Sequence, residues 1–153
     1  MLLMLDFDGV LHPLEPADEL AYWKQLLFGP SFPRFGHLPA LAGLLAEFPH
    51  VRLVVSSAWQ ETHSLDELRG LLGSLGPRVV AVTGGLGPTR YAAIAAWLSR
   101  TRYAGEWLAV DDDDRGWPDA ERHRLVYCDP EAGLDAATLA ELRRRLVLLA
   151  GRR

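Results

Sequence analysis

Five short apolar runs punctuate the chain, at 2–5 (LLML), 51–55 (VRLVV), 79–82 (VVAV), 107–110 (WLAV) and 125–128 (LVYC). Most are continuous rather than alternating, the pattern of strands covered on both faces within a parallel sheet. Helical period fills the intervals between them. Leu41, Leu44, Leu45 and Phe48 fall on one face, as do Leu65, Leu68 and Leu72, which follow a capping box of Ser64 with Glu67. Tyr91, Ile94 and Leu98 come after Pro88 and Thr89, a helix start, and Leu139, Leu142, Leu146 and Leu149 form a closing stripe. This alternation predicts an α/β fold: one Rossmann-like, doubly wound, mostly parallel sheet formed by a single domain over 1–153.

Residues 11–37 break the rhythm. They hold four of the ten prolines, together with Trp23, Phe28, Phe32, Phe35, Lys24, Arg34 and His37, and only a short helix is expected there, near 18–27. The segment reads as a small insertion, a flap or lobe after the first strand. Its aromatic residues suit packing against the sheet better than stacking on bases.

Composition narrows the possibilities. The chain has 153 residues, 49% of them apolar, enough for one domain with a real core. Twenty acidic against 16 basic side chains give a net charge of −4 and therefore no global field to draw in nucleic acid, so an anionic substrate must be held locally. Cys128 is the only cysteine, which excludes an intramolecular disulfide and a thiolate zinc cage and suits a reducing cytoplasm. The first apolar run stops at Asp6 without a basic leader or a cleavage site, and no run approaches the roughly 20 residues of a membrane span. A soluble cytoplasmic protein is expected, with no membrane association and no stable protein partner evident.

In open α/β sheets ligands bind beyond the carboxyl ends of the strands, so the polar residues after each run are the candidates for chemistry. Asp6 and Asp8 follow the first run, Ser56 and Ser57 the second, Asp111 and Asp112 the fourth, while Arg90 opens the helix after the third. Carboxylates converging in one cleft repel each other and normally exist to hold a cation. An all-oxygen set without His or Cys favours Mg²⁺, which joins one or two carboxylates to a substrate phosphate. A hydroxyl and a guanidinium would complete a phosphoryl cradle.

The string LLMLDFDGVLHP, followed in order by VVSSAW, PTRYAAIAAWL and WLAVDDDD, resembles the motif set of the haloacid dehalogenase-like phosphatase superfamily. The short chain and the SSAWQ and DDDD variants resemble its small members with little or no cap, including the phosphatase-like domains of RNA-repair proteins. The resemblance implies a Mg²⁺-dependent phosphomonoester hydrolase working through an aspartyl phosphate. Asp6 would be the nucleophile, and Asp8 would protonate the leaving oxygen, then activate water. Ser57 and Ala58 would bind the phosphoryl group, and Arg90 would stand where the superfamily usually has lysine. Asp6, Asp8 through its carbonyl, Asp111 and Asp112 would hold Mg²⁺.

The only lysine, Lys24, lies in the insertion, so the third motif is an arginine, with Arg100 and Arg102 as substitutes for Arg90. Guanidinium makes a good phosphate fork but is not equivalent to lysine. The departure keeps open a catalytically silent module binding a phosphorylated ligand or protein partner, and, less well matched, a receiver-type domain. Ser56 is expected to face the core, Asp113 and Asp114 the surface. His12 would line the site or brace the flap, Cys128 be buried, and Arg143–Arg145 be solvated. The substrate class stays broad: a small phosphate ester or a phosphorylated nucleic-acid end.

Overall fold

The computed structural model describes residues 1–15, 17–85 and 87–151. Five strands, β1 (Leu2–Leu5), β2 (Arg52–Val55), β3 (Val79–Val82), β4 (Trp107–Asp111) and β5 (Leu125–Tyr127), form one sheet in the order β3-β2-β1-β4-β5. Every pairing is parallel, with Leu5 level with Val55 on one side and Val110 on the other. The strands match the apolar runs to within a residue at each end.

Each strand puts alternate side chains on opposite faces, and both faces are covered. Leu3, Leu5, Leu53, Val55, Leu108 and Val110 pack against α2 (Leu38–Ala46), α3 (Leu65–Leu71) and α5 (Ala136–Ala150). Leu2, Met4, Val54 and Ala109 face Ile94 and Trp97 of α4 (Arg90–Thr101), with Trp117 beside them. The capping box of Ser64 with Glu67 forms as expected, and Asp135 and Thr89 cap α5 and α4. The chain therefore winds to one side from β1 to β3, crosses by α4, and continues through β4 and β5. Strand order reverses between β1 and β4, which sets a ligand crevice beyond their carboxyl ends.

The segment after β1 divides in two. Leu11 and His12 are buried, and Leu134 N–H bonds to the Val10 carbonyl, so the insertion proper begins after His12. Beyond it, α1 (Glu19–Phe28), capped by Asp18, has no buried residue. Phe35 packs on Phe7 and Trp59 as expected of a lobe residue, but Trp23 meets Tyr22 of its own helix and stays half exposed, and Phe28 is 83% exposed. A ten-residue helix on a proline-bounded loop stands off the sheet instead of lying on it. Among the described residues no helix is long and apolar enough to cross a membrane.

Candidate active site

Strand register builds the site. Asp6 N–H bonds to the Val110 carbonyl at 3.2 Å, extending the β1–β4 ladder one residue past β1 and bringing Asp6 level with Asp111. On the other side Ser56 N–H bonds to the Leu5 carbonyl at 2.9 Å, which delivers the serine pair. The chain then turns sharply through Phe7–Leu11. Gly9 sits at φ +72°, and a Cβ there would collide with the Asp112 carboxylate, so both backbone conformation and close approach require glycine.

Asp6, Ser57 and Asp111 are buried. Asp6 Oδ1 accepts the Phe7 N–H at 2.8 Å, and the nearby Ser57 hydroxyl favours the charged form of the same carboxylate. Arg90, the first residue of α4, places Nη2 3.5 Å from Asp6 Oδ2 and Nε 3.0 Å from Asp111 Oδ2. Its Nε–H is not directed at an acceptor, which leaves a buried donor unspent in the crevice. Carboxylate oxygens of Asp6, Asp111 and Asp112 lie within 4.8 Å of one another. Burial pushes the Asp6 carboxyl up to about 7 against the opposing pull of Arg90. Asp111 rises to about 8 through burial and the charge of Asp6. Asp112 is raised too, chiefly by burial.

Asp8 is brought to the same crevice but aims elsewhere. Its Oδ1 accepts from His12 Nε2 at 2.8 Å and its Oδ2 from Trp59 Nε1–H at 2.9 Å. The His12 hydrogen bond, ahead of a smaller opposing effect of burial, holds this carboxyl below its ordinary value. Its side chain therefore stands apart from the three-acid group. It opens instead on a cavity of about 250 Å³ between the site and the lobe, whose walls include His12, Glu15, Phe32, Arg34 and Trp59.

The other sequence candidates separate clearly. Ser56 is buried with its hydroxyl unpartnered, and exposed Ala58 opens a 3₁₀ turn, Ala58–Glu61, beside Trp59 and His63. Arg100 binds the Thr83 carbonyl at 2.8 Å and Arg102 ends α4, so neither stands beside Asp6 as Arg90 does. Asp114 pairs with Arg122 near the surface, but Asp113 is partly buried, held by Arg115 and bonded through its N–H to Asp111. Turning back under Asp111, the loop is too tight to leave Asp113 fully in water. Cys128 is buried, as expected.

The description "HAD domain in Swiss Army Knife RNA repair proteins" matches residues 2–139, most of the chain and every element carrying the site. The chain belongs to this HAD family. No curated protein and no solved structure matches it. Family membership accounts for the phosphatase-like Rossmann fold. Two partners of Asp8 in this HAD domain are site residues that sequence pattern does not single out: His12, which it offers only as a site lining or flap brace, and Trp59, to which it gives no role. Their signal was their position, His12 four residues after Asp8 and Trp59 two after Ser57.

Proposed function

We propose that this HAD domain is a phosphomonoester hydrolase in which Asp6 is the nucleophile. One observation carries the reading: a carboxylate buried at a strand end, contacted by a serine hydroxyl and by a guanidinium that also reaches a second acid. An Asp6 oxygen attacks phosphorus while the ester P–O bond breaks, and the departing oxygen takes a proton from Asp8, whose lowered pKa makes it a strong acid in the minor protonated form that reacts. Asp8 then accepts a proton from water as that water attacks the phospho-Asp6, releasing phosphate and restoring Asp6. Ser57 and the Arg90 guanidinium hold and neutralise the phosphoryl oxygens, with Ala58 beside them. Splitting one displacement in two and fixing its geometry are what the chain supplies.

The donor set fits Mg²⁺. Ionised Asp6, Asp111 and Asp112 against one guanidinium leave two negative charges in a mostly buried, all-oxygen group, the complement of a divalent hard cation. Asp6, Asp111 and Asp112, with the Asp8 carbonyl, would hold it, and when bound it would supply charge neutralisation at the phosphoryl group. The RNA-repair description of the family makes a phosphorylated nucleic-acid end the first substrate to try, beside small phosphate esters.

Phosphate release from an aryl phosphate and from a phosphorylated oligonucleotide, with Mg²⁺ and with chelator, tests the reading. Wild type should release phosphate only with metal, and Asp6→Asn should lose turnover by a factor on the order of 10⁴ with an unchanged circular dichroism spectrum. Undiminished turnover in folded Asp6→Asn overturns the nucleophile. A folded wild type that releases no phosphate from either substrate points to the silent binding module.

A further inference from the structure

His12 is one of the few buried polar residues among those described, and its ring links two parts of the molecule. Nδ1 lies 3.2 Å from the backbone nitrogen of Phe35, whose only role there is to donate, so Nδ1 is an acceptor without a proton. A ring in that state carries its hydrogen on Nε2, and the 2.8 Å contact with Asp8 Oδ1 is therefore a donation from His12 to the carboxylate. The lobe keeps this arrangement in place. Phe35 adopts φ +57°, an unfavourable conformation for a bulky side chain, with its ring packed edge-on against Phe7, His12 and Trp59. Phe32 stacks on the His12 ring from the cavity side.

Asp8 thus has one fixed donor on each oxygen, His12 on Oδ1 and the Trp59 indole on Oδ2. Two hydrogen bonds at the two oxygens leave the carboxyl group no free rotation, and they hold it facing the cavity rather than the three-acid group. A carboxyl offers about four lone-pair sites, so a site remains to carry a transferable proton while both donors stay in place.

We infer that His12 is a positioning residue which, with Trp59, aims the Asp8 carboxyl at the leaving oxygen of a substrate seated against the lobe. This deepens the phosphohydrolase reading and rests on Asp8 being its general acid. His12 itself gains and loses no proton in the step. The proton travels from Asp8 to the ester oxygen as the P–O bond breaks, and in that first step misaiming the acid by an ångström slows only esters whose leaving oxygen needs the proton. The later attack of water on phospho-Asp6, with Asp8 as base, is common to all esters and does not enter kcat/KM.

Leaving-group dependence separates aiming from folding. p-Nitrophenolate departs without protonation, whereas an alkoxide needs a proton. In His12→Ala, kcat/KM for an alkyl phosphate should fall about 10²-fold with much less change in kcat/KM for p-nitrophenyl phosphate, and Asp8→Asn should show the same selective loss. His12→Gln, whose side-chain amide returns a donor near the place of Nε2, should recover much of it. Trp59→Phe keeps the ring and removes only the other donor, so it reports on the clamp even if the buried His12→Ala fails to fold. In the Asp8→Asn background neither change should add a further selective loss. Equal losses for both esters in Trp59→Phe and in each folded His12 variant, or a selective loss that persists undiminished without Asp8, overturn the inference. Should Asp8→Asn treat the two esters alike, Asp8 is not the acid and the inference falls with that role, while loss of turnover in Asp6→Asn would still uphold the hydrolase reading.

Discussion

At the carboxyl ends of β1, β2 and β4, Asp6, Ser57 and Asp111 are withdrawn from water, whereas on α1 Leu20, Tyr22, Trp23, Leu26, Leu27 and Phe28 all stand in it. Elementary solvation would have arranged the two regions the other way round. The strand ends can bury carboxylates because register fixes them beside Arg90 and a ring of hydrogen-bond donors. That burial works against their charge and raises both Asp6 and Asp111 well above the ordinary carboxylate value. The lobe has no such frame: its helix buries none of its residues, and Phe32, Phe35 and His12 link the lobe to the site. Chemistry and stability are therefore expected to be set at the strand ends, and selectivity at the lobe.

The largest test of that division is Arg90→Ala. It removes the guanidinium that reaches both Asp6 and Asp111, and turnover should fall about 10²–10³-fold, with Arg90→Lys losing less. Steady-state kinetics on an aryl phosphate decide this, and a change confined to KM would relocate Arg90 from the reacting group to remote binding.

A smaller effect comes from the cost of burying acids. Without metal, folded Asp6 and Asp111 keep their protons up to about pH 7 and 8, against an ordinary value of 3.8. The stability this contributes is complete below pH 3.8 and is lost as pH rises through those raised values, because the unfolded chain ionises first. The metal-free protein should accordingly melt lower at pH 8 than at pH 5. At pH 8 Asp111→Asn should raise Tm, by about 2–4 °C for each kcal/mol recovered, and Mg²⁺ should raise that of the wild type by mass action. Calorimetry in chelator and in Mg²⁺ measures all three, and a flat profile would refute the buried-charge account.

The smallest effect belongs to the lobe. Phe28→Ser replaces a mostly solvated ring, so the change in unfolding free energy should stay within about 0.5 kcal/mol, whereas Leu5→Ala in β1 should cost about 2–5 kcal/mol. Urea titration of the two variants compares the regions directly. A destabilised Phe28→Ser would show that α1 is packed in solution.

Much of this was legible beforehand because the responsible interactions are local. LLML and WLAV become central strands since a continuous apolar run has no face to give to water, and the Ser64–Glu67 box caps α3 over only four residues. Asp6, Ser57, Arg90, Asp111 and Asp112 were named from their places after strands or at a helix start, and the structure gathers them in one crevice. The direction of Asp8 was not legible. Its carboxylate is turned by Trp59, which lies 51 residues away in sequence, and by a histidine whose tautomer depends on the backbone of Phe35. The exposure of Trp23 and Phe28 was missed for a related reason: aromatic composition favours packing, but whether a helix reaches the core depends on where its flanking loops leave it.

Sequence by itself determined the order of strands and helices, the caps, and the identity of the acids at the strand ends, since each follows from side-chain period and neighbours a few residues apart. Tertiary structure decided the rest: β1 at the centre, Asp6 opposite Asp111 by register, Arg90 between them, and Asp8 held toward the lobe. Those choices depend on pairings between distant segments and on hydrogen bonds whose polarity is fixed only when both partners are in place, and no local pattern encodes either.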